Sequence, residues 1–236
     1  MNRINILIFL FLICFNINGL ASHKVYVLHG WGNPKTLMNK IHRDIIKAGF
    51  EAENYAYPGL YEDLDSIAKK LYMDIMKENL DSVSFVTHSM GGLVVRAMLK
   101  YSAPDLSFPK IFRIVMIAPP NRGADIADFF KDAKAIKKLL GPNVEKMQTD
   151  SSSYANQLPI PYNTEIGVIV GRRYKDKGYN LLIEGDNDGL LAPERTILGN
   201  EKDVAYVRYN HLGVIRRKEP RKLVVEFLKF GEFVSN

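Results

Sequence analysis

The stretch "SVSFVTHSMGGLVVRAMLKY", residues 82–101, changes its period at a single serine. Up to His88 it reads as a short, buried β-strand, and from Gly92 onward as an apolar helix. Ser89 stands at the junction, with Gly91 and Gly92 close behind. Two roles fit a serine there. It can cap the helix, because serine is a preferred N-cap residue. Or it can be pushed out of the end of a sheet on a tight strand-to-helix turn, which needs small residues on both sides so that strand and helix approach closely. Gly91 meets the G-x-S-x-G spacing of such an elbow, whereas Thr87 takes the place of the first glycine. Threonine is small, but its β-branch suits a strand better than the tightest packing.

Outward from this junction, short apolar strands alternate with helical patterns. "KVYVLHG" (24–30) reads as a strand ending in a glycine turn, and residues 35–48 carry Leu37, Ile41, Ile45 and Ile46 as an apolar stripe. "EAENYAYPG" is a second strand stopped by Pro58-Gly59, and residues 62–79 form a longer amphipathic helix. "IFRIVMIAPP", "EIGVIVG" and "DVAYVRYN" supply further strands, and residues 219–230 a closing helix. This order predicts an α/β fold, with a mostly parallel sheet and helices on both faces. Sites in such sheets lie at the C-terminal ends of the strands.

Residues 124–160 are the expected cap. Within them Ile126, Phe129, Phe130, Ala133, Ile136, Leu139 and Leu140 fall at helical spacing, with Lys131, Lys134, Lys137 and Lys138 largely opposite. The pattern predicts a helix over 124–140, either packed on the core or touching a membrane surface.

The first 21 residues differ from the rest. Arg3 precedes an apolar run from Ile6 to Phe15, then Gly19 and Ala21, the layout of an export signal cut before Ser22. The run is shorter than the roughly 20 residues that cross a bilayer core, and an uncleaved N-terminal anchor is the alternative. Residues 22–236 then form one domain, exported to the periplasm or beyond. Cys14 is the only cysteine, so a chain starting at Ser22 has neither a thiol nucleophile nor thiolate metal ligands. A net charge of +6 invites anionic partners, but the lysines are scattered among acids with no aromatic–basic module, which argues against nucleic acid.

A serine hydroxyl needs a base. On a sheet with a nucleophile elbow, the partners follow in the order serine, acid, histidine. Of the histidines at 23, 29, 42, 88 and 211, only His211 comes after Ser89, directly behind the strand "VAYVRYN". The acid belongs in "EGDNDGLLAPE", where Asp188 precedes a turn glycine and an apolar pair, with Asp186 in reserve. An oxyanion would be met by the N–H of Met90, after the nucleophile, and by that of Trp31 in "HGWG", after the first strand.

Together "VYVLHGWG", "FVTHSMGGLVVR", "VMIAPPNRGADIA", "GVIVG", "DNDGLLAPERT" and "YNHLGV" resemble the α/β-hydrolase superfamily, in its bacterial lipase and esterase-like branch. The resemblance runs from about Lys24 to the C-terminus and is thin over residues 131–160. It implies Ser89 as nucleophile, Asp188 as acid, His211 as base, and Trp31 and Met90 as oxyanion donors. It also implies a carboxylic ester or acyl lipid as substrate, and no cofactor. Many bacterial lipases hold calcium with an aspartate shortly after the histidine; "HLGV" has no acid, so no metal is expected. The same triad would serve an acyltransferase or thioesterase, and a non-catalytic binding protein could keep the fold alone.

Overall fold

In the computed structural model, which describes residues 22–131 and 139–234, the strands follow the expected order. They are β1 His23–Leu28, β2 Glu51–Tyr55, β3 Ser82–His88, β4 Lys110–Ile117, β5 Glu165–Gly171 and β6 Asp203–Val207. All pairs are parallel, in the order β2-β1-β3-β4-β5-β6. β3, the strand that leads into Ser89, therefore lies inside the sheet, between β1 and β4.

Period-2 alternation explains how both faces are covered. Tyr26 and Leu28, Val83 and Phe85, Ile114 and Met116 point to one side. There they meet α2 (Leu64–Met76) through Leu64, Ile67 and Leu71, and α3 (Met90–Ser102) through Leu93, Val94 and Met98. Val25, Val27, Val86, Val115 and Ile117 point to the other. They pack on Ile41 and Ile45 of α1 (Asn39–Lys47) and on Val224 and Phe227 of the last helix, Lys218–Phe230.

Local chemistry trims the expected boundaries. The 35–48 pattern begins as a 3-10 turn, Lys35–Met38, before α1. α2 starts later than expected, because the Asp63 side chain accepts a hydrogen bond from Asp65 N (2.9 Å) and caps it. The 124–140 pattern departs most. A helix of four residues, Asp125–Asp128, gives way to a turn at 129–131, and residues 132–138 lie outside the described residues. The apolar spacing there does not mark one continuous helix: Ala127 and Phe130 instead face a cavity, while Phe129 is half exposed. The expected lysine face at 134, 137 and 138, and the segment before Ser22, likewise fall outside the described residues. Among the described residues, no helix is long and apolar enough to cross a membrane.

Candidate active site

Ser89 is held at φ 53°, ψ −128°, a combination that L-residues sparsely populate. Such a conformation costs on the order of 1–3 kcal/mol and persists only where the surroundings over-determine it. Here Ser89 N donates to Ile117 O on β4 (2.9 Å), and Gly92 N donates back to Ser89 O (2.9 Å). The Ser89 side chain makes no capping bond to α3. The N-cap role is thereby excluded. Ser89 lines a cavity that His211 also lines.

Thr87 fits the turn because Gly92 makes room for it. A Cβ on Gly92 would come within 3.4 Å of Thr87 Oγ1 and 3.1 Å of Pro119 Cβ. Thr87 is fully buried under the junction.

His211 follows β6 and is buried beside Asp188. Its Nδ1 lies 2.6 Å from Asp188 Oδ2. A carboxylate can only accept, so Nδ1 carries a proton, and in the neutral imidazole this tautomer presents Nε2 as the acceptor. The other carboxylate oxygen, Oδ1, accepts from Leu190 N (2.9 Å) and Leu191 N (3.1 Å), which fixes the acid's orientation. His211 N also donates to Asp188 O (2.8 Å), so the two loops are joined at backbone level. Asp186 is engaged elsewhere. It accepts from Arg172 Nε (2.8 Å), Arg173 N (2.8 Å) and Tyr174 N (2.9 Å), closing the turn that leaves β5.

No protein-family profile matches the chain, and no curated protein does. Solved structures do. The mature form of Bacillus licheniformis lipase BlEst2 superposes with a TM-score of 0.67 at 16% identity, over 89% of this chain and 92% of that one. The metagenomic carboxyl esterase MGS0156 gives 0.60 at 16% identity, over 82% and 66%. An extracellular α/β-hydrolase from a Paenibacillus species gives 0.51 at 15% identity, over 87% and 97%. Likeness at such identities is likeness of architecture.

The chain has the α/β-hydrolase fold.

In an α/β-hydrolase the second oxyanion donor comes from the loop after an early core strand. Here that loop is pressed against the elbow: a Cβ on Gly30 would lie 2.9 Å from Ser89 Cβ. Tyr57 holds the loop from below, stacking on His29 at 4.0 Å and donating its hydroxyl to His29 O. The Trp31 indole donates to Leu140 O (3.1 Å), anchoring the loop to the cavity wall. The N–H groups of Trp31 and Met90 make no hydrogen bond among the described residues. Met90 is the first residue of α3, where amides are free by construction.

The cavity measures about 750 Å³. Trp31, Ile126, Phe130, Leu140, Val144 and Met147 give it an apolar wall. Among the described residues, no cluster of three or more His, Cys, Asp or Glu side chains is grouped to hold a metal ion.

Two residues around this site were not read from the sequence. His88 is fully buried and donates from Nε2 to His211 O (2.9 Å), with the rings 4.8 Å apart. Burial pushes its pKa well below the ordinary imidazole value, and the adjacent His211 adds to that, so it stays neutral. Its only signal was its place next to Ser89. Arg96 on α3 is also buried. Burial lowers its pKa to about 10. It donates to Asn121 O (2.8 Å), Leu158 O (2.7 Å) and Pro159 O (3.1 Å), tying the helix behind Ser89 to segments near the cavity. A lone arginine in "GGLVVRAM" hinted at such a partner set without naming it.

Proposed function

We propose that the chain is a serine hydrolase of carboxylic esters with an apolar acyl group. The observation that carries this is Ser89, strained and free of any capping bond, lining the same cavity as an imidazole whose far nitrogen is held by a buried carboxylate. Lipases and a carboxyl esterase among the structural neighbours point to the same chemistry.

Ser89 Oγ attacks the acyl carbonyl while His211 Nε2 takes its proton. Asp188 holds the Nδ1–H tautomer and stabilises the imidazolium that forms. The N–H groups of Met90 and Trp31 receive the oxyanion, being fixed before the reaction and costing no reorganisation during it. The imidazolium then gives its proton to the departing alcohol oxygen, leaving an acyl-Ser89. Water, deprotonated by His211, releases the acid by the same steps in reverse order. The apolar cavity suits the acyl chain, since ligand sites of this kind bury most of an apolar ligand. The leader pattern before Ser22 supports an exported enzyme.

The test is hydrolysis of p-nitrophenyl esters from acetyl to long acyl chains, with Ser89→Ala alongside. Turnover should rise with chain length and fall by about 10³-fold or more in the variant. A Ser89→Ala protein that keeps its rate would end this reading.

A further inference from the structure

A second cavity of about 400 Å³ adjoins the first on the His211 side. Asn210 and Leu212, which flank His211 in sequence, line both cavities. The other walls are Lys40 on α1, Gly213 and Arg216 on the short helix Gly213–Arg216, and Arg217, which links that helix to the last one. Three cations and no carboxylate therefore face this space. Lys40 and Arg216 have no ion pair among the described residues. Arg217 lies over the Tyr209 ring, 5.9 Å from its centroid. Two nearby acids are engaged elsewhere: Asp44 on α1 with Arg221 (3.0 Å), and Glu219 at the start of the last helix with the Tyr209 hydroxyl (2.9 Å). Asn210 uses Oδ1 to accept from Gly213 N (2.8 Å), which leaves its amide N–H groups free to donate.

The position of this cavity carries a meaning that its charge alone does not. If His211 is the general acid, it must reach the leaving oxygen, so the alcohol portion of the ester lies on the histidine side. The acyl chain takes the apolar cavity. On the ester hydrolase reading, we infer that the basic cavity is a leaving-group subsite for an ester whose alcohol carries a phosphate. Arginine suits that group, because its planar fork donates two parallel hydrogen bonds to phosphate oxygens. Lys40, also lining the cavity, adds a point charge.

The experiment compares 1-octanoylglycerol 3-phosphate with 1-octanoylglycerol, both as monomers in solution, through the ratio of their kcat/KM values. The phosphate ester should be preferred by about tenfold or more at low salt. That preference should shrink as salt rises, because the site is exposed. Lys40→Ala with Arg216→Ala should bring the ratio close to one, and Arg216→Glu should invert it. Lys202→Ala, at the opposite end of the sheet, should leave the ratio where it stands. Equal use of the two substrates by the wild type would overturn the subsite while the hydrolase reading stands. Failure to hydrolyse these and the nitrophenyl esters would overturn both. Two other results would also overturn it. One is a preference that appears only in phosphatidylglycerol vesicles and speeds the neutral substrate equally, which would assign the patch to a lipid surface. The other is competitive inhibition of octanoylglycerol hydrolysis by inorganic phosphate with no preference between the esters, which would make it a site for the free anion.

Discussion

Two aspartates, Asp186 and Asp188, stand two positions apart, and their surroundings separate them completely. Asp188 is buried and shares its oxygens between His211 Nδ1 and two backbone amides. Asp186 binds an arginine and two amides at the turn after β5. Asp188→Asn should therefore cost about 10⁴ in kcat, since an amide cannot hold the imidazole in the required tautomer. Asp186→Asn should instead lower the unfolding free energy by about 1.5–3 kcal/mol, the worth of a hydrogen bond to a charged group, with kcat changed less than tenfold. Steady-state kinetics and denaturant unfolding of both variants check this. A large kinetic loss from Asp186→Asn with a mild one from Asp188→Asn would reverse the assignment. The sequence order singled out His211, but the partner of its ring depends on how two loops close, and neighbouring residues in one loop are not distinguishable by order.

At the scale of elements, the elbow depends on how closely α3 approaches the end of β1. A Cβ on Gly91 would stand 2.7 Å from His29 O and 3.0 Å from Leu28 O, both backbone atoms. Neither can step aside as a flexible side chain would. Gly91→Ala should cost about 1–3 kcal/mol of stability through this overpacking. It should lower kcat further, because the same displacement moves Met90 N–H and Ser89 relative to the Trp31 loop. Thermal unfolding and ester hydrolysis on one preparation test the pair of effects; full activity at reduced stability would detach the elbow's geometry from the chemistry. The strands and long helices were legible because parallel strands buried on both faces read as near-continuous apolar runs. The 124–140 segment was not. Its apolar residues have helical spacing, yet several of them wall a cavity, and spacing does not tell a packed face from a cavity wall.

For the whole molecule, the candidate site lies at the C-terminal edge of the sheet: Trp31, Ser89, Asp188 and His211 follow β1, β3, β5 and β6, and the apolar cavity wall is supplied largely by the segment after β4. The opposite edge holds the start of the described chain. Ser22 N donates to Asp81 Oδ2 (2.7 Å), and Asp81 N donates to Ser22 Oγ (3.0 Å). If the leader is cut before Ser22, the freed ammonium falls directly on that carboxylate. A chain beginning at Ser22 should then be more stable than its N-acetylated form by up to about 1 kcal/mol, the worth of an exposed ion pair. The difference should fade in high salt and disappear in Asp81→Asn. Denaturant unfolding of the four proteins measures it, and an acetylated chain as stable as the free one would remove the pair.

What the sequence by itself determined is whatever depends on neighbours along the chain. The run of strands and helices, the serine at a change of period, and the single histidine after it are of this kind. Tertiary structure decided what depends on groups far apart in sequence. It showed that Ser89 does not cap α3, because β4 holds its backbone at positive φ. It chose the Asp188 carboxylate for His211, 23 residues away. It also set His88 under His211 O, 123 residues away, and gathered Lys40 with Arg216 around one cavity. Such meetings follow from the order of strands in the sheet and the closure of its loops, and a linear pattern does not encode either at the resolution of single atoms.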